Sequence, residues 1–203
     1  MKIIAIGRNY INHAKELNNA IPEQPVFFMK PETALLQKNR PFYYPEFSNN
    51  IHYEVEIVVR INKIGKYIEE QFAHKYYNQI GIGIDFTARD LQEIQKKKGL
   101  PWEIAKAFDN SAPISHFVDL SNYKDIQDIH FSLDINQKNV QTGHTKDMLF
   151  SVDKIIAYVS QFVSLKIGDL IFTGTPAGVG KVKIGDRLVA SIEKEELLNF
   201  EIK

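Results

Sequence analysis

Three acidic residues lie in unusually apolar surroundings, and residues of this type can bind a metal ion. Glu54 and Glu56 occur in the segment from Ile51 to Ile61, where every odd-numbered position is apolar. This alternation predicts a strand, because successive side chains of an extended chain point to opposite faces. Glu54 and Glu56 then share a face, where two like charges repel unless a cation lies between them. An ordinary solvent-facing strand surface is the alternative interpretation.

A third acid favours the cation-binding interpretation. Asp85 follows the apolar run 80–84 and precedes a polar segment, so we predict that it lies where a buried strand becomes a loop. A carboxylate in that position is poorly solvated and needs a partner. Three carboxylates suit a hard, oxygen-seeking ion such as Mg²⁺ or Mn²⁺. The sequence has no cysteine and no His-Glu-x-x-His pattern, so it lacks the usual tetrahedral zinc motifs.

Two further features could take part in catalysis. His13 and Glu16 are three residues apart, so on a helix they share a face and can form a hydrogen bond. A carboxylate raises the basicity of an imidazole and orients it, as a water-activating base requires. Lys30 and Lys106 lie among apolar or small residues and are suited to neutralise a substrate carboxylate or a developing oxyanion. A surface His-Glu pair and snorkelling lysines are the alternatives.

Composition sets wide bounds on function. The chain has 203 residues, of which 44% are hydrophobic, and Lys plus Arg and Asp plus Glu both total 25. This balance is typical of a globular protein and gives no sign of a nucleic-acid-binding surface. We found no signal peptide and no segment able to span a bilayer, so we expect a soluble, cytoplasmic protein with no membrane partner.

The predicted elements favour an α+β fold, because the strands are not separated by regular helices. Residues 1–203 are expected to form one domain, a strand-rich mixed β-roll or sandwich with a few short helices. The predicted strands are 2–6, 26–29, 51–61, 131–135, 169–172, 187–192 and 197–202, together with the apolar run 80–84. The predicted helices are 9–17, 69–78, 88–98 and the one capped by Ser151.

The motifs together resemble the fumarylacetoacetate hydrolase family over nearly the whole chain. The chain looks most like the small single-domain members, which act as acylpyruvases and oxaloacetate decarboxylases. The matching segments are Gly7-Arg8-Asn9-Tyr10 with His13 and Glu16, Phe28-Met29-Lys30-Pro31, Glu54-Val55-Glu56, Asp85 to Gln92, Gly99-Leu100-Pro101-Trp102, Ala105-Lys106 and Thr173-Gly174-Thr175-Pro176.

The resemblance implies a homodimer with Mg²⁺, or Mn²⁺ or Ca²⁺ as in relatives, held by Glu54, Glu56 and Asp85. In that family an α-keto acid chelates the metal, and His13 and Glu16 match the family's His-Glu dyad. The other residues that the resemblance assigns to substrate binding or catalysis are Arg8, Lys30, Arg89, Gln92, Lys106 and Thr175.

Chelation by the metal stabilises an enolate at C3 of the keto acid, so we expect cleavage of a small α-keto acid. The reaction is then acylpyruvate hydrolysis, oxaloacetate decarboxylation or both. For hydrolysis, His13 polarised by Glu16 deprotonates water and Lys106 offsets charge in the transition state. Two alternatives stay open. One is an isomerase or tautomerase of 2-hydroxy-diene-dioates or oxaloacetate, and the other is a non-catalytic α-keto acid binding protein.

Overall fold

Runs of β-branched and aromatic residues form most of the regular structure in the computed structural model, which describes residues 1–16 and 20–203. The strands are β1 (Ile3–Gly7), β2 (Val26–Lys30), β3 (Leu35–Leu36), β4 (Ile51–Tyr53), β5 (Val55–Ile61), β6 (Tyr77–Ile84), β7 (Thr87–Ala88), β8 (Ala112–Pro113), β9 (Val118–Asp119), β10 (His130–Ile135), β11 (Lys138–His144), β12 (Leu170–Phe172), β13 (Gly180–Lys181), β14 (Arg187–Ile192) and β15 (Glu195–Glu201). The helices are α1 (Ile11–Glu16), α2 (Glu70–Ala73), α3 (Arg89–Lys98), α4 (Glu103–Lys106) and α5 (Val152–Phe162).

The strands form a mixed six-stranded sheet and several smaller sheets. The large sheet has the order β2-β1-β12-β5-β6-β9, in which β1 and β12 are parallel and the other neighbours are antiparallel. A second, antiparallel sheet has the order β11-β10-β14-β15, and β13-β4-β7 and β3-β8 form two short ones. Mixed sheets with a few short helices confirm the predicted α+β fold.

The core lies between the two larger sheets and α5. Ser151 begins this helix as predicted, because its hydroxyl accepts a hydrogen bond from the backbone N–H of Lys154 at 3.2 Å. Ile155, Ile156 and Val159 follow at helical spacing and are fully buried in the main hydrophobic cluster. Within the described ranges, no helix has the length and apolar character needed to cross a membrane.

Two predicted elements differ from the structure. The predicted helix 69–78 is shorter, because α2 passes into a 3-10 turn and Tyr77 already belongs to β6. Tyr77 pairs with Ile61, and its hydroxyl donates to Asp153 at 2.9 Å, so long-range contacts override local helix propensity. The predicted helix 9–17 corresponds to α1, and Leu17 lies outside the described residues.

The predicted strand 51–61 is also interrupted. It divides at Glu54 into β4, which belongs to the β13-β4-β7 sheet, and β5, which belongs to the six-stranded sheet. A side chain at the junction of two sheets can leave the alternating pattern of either one. Glu54 occupies this junction, where the candidate site is built.

Candidate active site

Strand register brings the three predicted acids together. Antiparallel pairing of β5 with β6 sets Val55 opposite Ile84 and Glu56 opposite Gly83. The next position along each strand is Glu54 and Asp85, and the Asp85 N–H donates to the Glu54 carbonyl at 2.8 Å. The side chains of Glu54, Glu56 and Asp85 each offer an oxygen within 4.8 Å of the others.

These carboxylates are buried, so the solvent-facing strand interpretation is wrong. Glu54 is 5% exposed, Glu56 is 2% exposed and Asp85 is 1% exposed. Buried like charges need compensation by cations or hydrogen-bond donors. The surroundings supply both kinds of partner, and they supply them unequally to the three acids.

Two basic side chains neutralise Glu54. The Lys106 Nζ lies 2.8 Å from one Glu54 carboxylate oxygen and 2.6 Å from Asp85 Oδ2. The Arg89 guanidinium lies 2.5 Å from the other Glu54 oxygen. Burial alone would raise the pKa of Glu54, but the charges of Lys106 and Arg89 hold it well below its ordinary value. Burial would lower the pKa of Lys106, but Asp85 and Glu54 raise it instead.

Glu56 is compensated much less. Its Oε2 accepts a hydrogen bond at 2.7 Å from the backbone N–H of Gly174, which has a positive φ of 102°. A Cβ at Gly174 would lie 2.7 Å from Asn9 Cβ, so glycine fits both this conformation and the close contact. Burial and the neighbouring Asp85 charge raise the pKa of Glu56 well above its ordinary value. Glu56 therefore gains from any additional cation.

Lys30, predicted to take part in substrate binding, lies next to the acid cluster. Its Nζ is fully enclosed and lies 2.7 Å from Asp85 Oδ1. It also donates to the Ser111 hydroxyl at 2.9 Å and to the Lys106 carbonyl. The 2.7 Å contact gives the buried Asp85 carboxylate a cationic partner. Lys30 thus neutralises the Asp85 carboxylate but does not line the cavity.

The acid cluster has the properties of a site for a hard divalent cation. Oxygens of all three acids lie within 4.8 Å of one another, and Glu56 is weakly compensated. Oxygen ligands of this kind are those that Mg²⁺ and Mn²⁺ prefer. The donor set of Glu54, Glu56 and Asp85 therefore fits such an ion, which would replace part of the contact between Lys106 and the acids.

The predicted dyad is present as a hydrogen-bonded pair. His13 Nδ1 lies 3.2 Å from Glu16 Oε2, one turn apart on α1 as the spacing predicts. The same Glu16 carboxylate accepts from the Gly178 N–H at 3.1 Å, which ties α1 to the loop after β12. A carboxylate only accepts hydrogen bonds, so in the neutral imidazole the proton lies on His13 Nδ1 and the lone pair on Nε2.

One small cavity, of about 40 Å³, connects the dyad to the acids. Arg8 lies in its wall with a left-handed backbone (φ 61°), a conformation that non-glycine residues adopt rarely and often at functional sites. The predicted residues that line the cavity are Arg8, His13, Glu54, Glu56, Asp85, Arg89, Gln92, Lys106 and Thr175. The structure brings these side chains together, and their individual roles stay predictions.

Five lining residues were not among the predicted site residues: Ile6, Gly7, Phe28, Lys96 and Trp102. Phe28 and Trp102 form an apolar wall, with ring centroids 5.7 Å apart, and both lie inside segments that carried the family resemblance. Lys96 lies on α3 one further turn from Gln92, at the spacing that places it on the same helix face. Burial and the nearby guanidinium groups of Arg8 and Arg89 lower the pKa of Lys96. The cavity is therefore lined by four basic side chains, those of Arg8, Arg89, Lys96 and Lys106, beside the three acids.

Two of the predicted residues are held by other side chains. Arg89 donates to Gln92 at 2.6 Å, which links two cavity residues on α3. Thr175 accepts at 3.0 Å from Gln141, whose Oε1 in turn accepts from the Val55 N–H at 3.0 Å. Gln141 thus fixes the loop of Thr175 against β5, a contact between distant segments that no local pattern signals.

Comparison with protein families gives one decisive match. The model of the fumarylacetoacetate (FAA) hydrolase C-terminal family matches residues 2–201. The chain belongs to the fumarylacetoacetate hydrolase family. This confirms the resemblance that the motifs indicated, and it places the acid cluster and the dyad in a family of enzymes.

Similar proteins of this family carry several activities. The mitochondrial oxaloacetate tautomerase FAHD1 of Mus musculus is 41% identical over 99% of this chain and 91% of its own length. The mitochondrial oxaloacetate decarboxylase of Dictyostelium discoideum is 42% identical over 94% of this chain and 88% of its own length. A fumarylpyruvate hydrolase from Pseudomonas aeruginosa, solved with Mn²⁺ and pyruvate, has a TM-score of 0.94 and 35% identity, covering 100% of this chain and 89% of that one. This family member is therefore an enzyme.

Proposed function

We propose that this enzyme of the fumarylacetoacetate hydrolase family is a Mg²⁺-dependent oxaloacetate tautomerase. The observation that carries the proposal is the placement of a single hydrogen-bonded dyad, His13 with Glu16, at the same small cavity as three buried acids. Tautomerisation needs one proton carrier and no attacking water. The tautomerase from Mus musculus supports this choice over the cleavage that we expected first.

Charge favours a substrate with two carboxylates. The acids Glu54, Glu56 and Asp85 already face basic side chains, so a divalent ion adds net positive charge, and Arg8 and Lys96 add more at the cavity wall. A dianion such as oxaloacetate offsets this excess better than a monoanion does.

Glu54, Glu56 and Asp85 would hold the ion. When bound, Mg²⁺ supplies a Lewis acid that draws electron density from the 2-keto oxygen and acidifies the protons on C3. His13 Nε2 takes a proton from C3, while Glu16 holds the imidazole in the required tautomer. The His13 imidazolium then gives this proton to the 2-oxygen, which completes the enol and restores the neutral imidazole, and the reverse transfers regenerate the keto form.

The remaining cavity residues orient the substrate and balance its charge. The Lys106 ammonium lies between Glu54 and Asp85, where it can offset charge that develops on the 2-oxygen. Arg89 offers guanidinium N–H groups that suit a carboxylate. The Thr175 hydroxyl, fixed by Gln141, adds a further donor.

Cleavage is the second candidate function, and the relatives named oxaloacetate decarboxylase and fumarylpyruvate hydrolase favour it. Decarboxylation and hydrolysis use the same electron sink as tautomerisation. Hydrolysis differs because a water must also reach the distal carbonyl and be activated there by a general base.

A three-way activity comparison tests the proposal. Purified enzyme with Mg²⁺ is assayed for loss of the oxaloacetate enol by ultraviolet absorbance, for pyruvate release from oxaloacetate, and for hydrolysis of acetylpyruvate. We expect the highest kcat/KM for tautomerisation. His13→Gln should lower it by about 10² to 10⁴, the usual contribution of a general base.

His116→Gln is the matched control, since this histidine is exposed and lies outside the cavity. It should leave all three rates unchanged. A kcat/KM for decarboxylation or hydrolysis equal to or above that for tautomerisation would overturn the proposal in favour of cleavage. Equal tautomerisation by His13→Gln and the unmodified enzyme would remove His13 from the mechanism.

A further inference from the structure

Arg89 makes a third contact, to His52, that the proposed reaction does not use directly. The Arg89 Nε lies 3.4 Å from His52 Nδ1, and the His52 Nε2 lies 3.0 Å from Asn50 Oδ1. His52 is half-buried on β4, and the two terminal nitrogens of Arg89 donate to Gln92 and Glu54. The guanidinium is therefore held on three edges.

Hydrogen-bond chemistry fixes the direction of this chain. An arginine Nε always carries a proton, so His52 Nδ1 must be the acceptor. The ring proton then belongs to Nε2, which donates to Asn50 Oδ1. A chain of hydrogen bonds thus links Asn50, His52 and Arg89, and every donor in it faces an acceptor. The chain ends at the Glu54 carboxylate.

The backbone strengthens the same link. The Arg89 N–H donates to the Asn50 carbonyl at 2.9 Å, and His52 pairs with Thr87 across β4 and β7. Both the main chain and the side chain of Arg89 are therefore tied to the segment 50–52. Among the described contacts, one N–H remains on each terminal nitrogen of Arg89, which lines the cavity.

We propose that His52 is a positioning residue that sets the orientation of the Arg89 guanidinium toward a substrate carboxylate. Without the His52 acceptor, Arg89 still donates to Glu54 and Gln92, but its guanidinium can rotate about the terminal bonds of the side chain. The two remaining N–H groups then lose their alignment with the substrate. The inference rests on the proposed function only for the identity of the substrate. Loss of the His52 contact should therefore weaken substrate binding more than it slows proton transfer by His13.

The first test separates substrate binding from the chemical step. His52→Leu removes the acceptor, whereas His52→Asn keeps an oxygen near the place of Nδ1. We expect His52→Leu to raise KM for oxaloacetate about tenfold with a smaller change in kcat, and His52→Asn to recover most of the loss. In an Arg89→Gln background, His52→Leu should add little further effect, since coupled residues are non-additive.

A second readout does not depend on turnover. Titration of the Mn²⁺-loaded enzyme with pyruvate should show weaker pyruvate binding by His52→Leu. In addition, ¹⁵N NMR should show His52 as the Nε2–H tautomer, and the preference for this tautomer should be weaker in Arg89→Gln. This arm distinguishes failure of the inference from failure of the proposed function. His144→Leu is the matched control, because His144 is a partly buried strand histidine bonded to Asp128 outside the cavity.

An Nδ1–H tautomer for His52, or fully additive effects of His52→Leu and Arg89→Gln, would overturn the positioning role. If His52→Leu only lowered thermal stability, with unchanged KM and pyruvate binding, His52 would be a structural residue of β4 and the inference would be wrong.

Discussion

Two places in the six-stranded sheet bury carboxylates next to lysines, yet they are built differently. Asp169, just before β12, accepts from the Lys2 N–H at 2.8 Å and the Lys166 N–H at 2.7 Å, and the Lys2 ammonium lies 2.5 Å away. At the candidate site, Glu54 and Asp85 are compensated by side-chain cations, and Glu56 accepts one backbone N–H.

The difference separates a structural acid from acids that can bind a ligand. Backbone donors fixed by the fold satisfy Asp169, and its lysine partner is only an addition. The site acids Glu54 and Asp85 rely instead on the side chains of Lys106 and Arg89. Because the negative charge of the site acids is only partly neutralised, the fold is less stable, but the acids can still bind a cation.

The largest effect is expected from Lys106→Met. Loss of this ammonium leaves Glu54 and Asp85 undercompensated, and breaking a buried ion pair costs about 3–5 kcal/mol. Chemical denaturation of the metal-free variant should show this loss, and activity with Mg²⁺ should fall by about 10²–10³. Because a divalent ion replaces the missing charge, Mn²⁺ should restore part of the stability. If Mn²⁺ restored no stability to Lys106→Met, the interpretation of the site acids as cation ligands would be contradicted.

Asp169→Asn should have a smaller effect, on stability alone. The substitution replaces one carboxylate oxygen by an amide NH₂, which cannot accept a hydrogen bond. The single remaining oxygen cannot serve the Lys2 N–H, the Lys166 N–H and the Lys2 ammonium together, so one buried donor loses its partner, at a cost of about 2–3 kcal/mol. Urea denaturation measures this loss. The kcat/KM of the folded variant should equal that of the unmodified enzyme, and a change in metal affinity would show that the two regions are not independent.

Asp90→Asn should have the smallest effect, and it should depend on pH. Asp90 adjoins Arg89 but accepts from the Ser48 hydroxyl at 2.7 Å and the Leu91 N–H at 2.9 Å. Burial opposes ionisation, but these donors hold the pKa of Asp90 below its ordinary value of 3.8. A depressed pKa stabilises the fold above the unfolded value and loses this contribution as pH falls through the folded value.

The expected cost of Asp90→Asn at neutral pH is about 1 kcal/mol, because the group is partly exposed. Denaturation at a series of pH values should show the gap to the unmodified protein shrinking below the ordinary pKa of 3.8. A gap that stays constant through the acid range would mean that ionisation of Asp90 contributes nothing.

Local patterns predicted the parts of the site that depend on short spacing. Alternation identified Glu54 and Glu56, the i,i+3 spacing identified His13 with Glu16, and the end of an apolar run identified Asp85. The same holds for the start of α5 at its Ser cap. Each of these features is set by the geometry of one helix or strand.

Contacts between distant segments were beyond this reasoning. The division of the predicted strand at Glu54 depends on which sheets its halves join, and the enclosure of Lys30 depends on carbonyls from residues 86, 106 and 111. The His52 contact with Arg89 spans 37 residues. A single sequence shows residue types and periods, but it does not show which loops meet.

The most direct test of the central claim is a Mn²⁺ titration followed by electron paramagnetic resonance. The unmodified enzyme should bind one ion per chain, Glu56→Gln should bind at least about 100-fold more weakly, and Asp169→Asn should match the unmodified enzyme. Glu56→Gln should keep its fold and thermal stability, since a weakly compensated buried carboxyl is replaced by a neutral amide. Equal Mn²⁺ affinity of Glu56→Gln and the unmodified enzyme would contradict the account.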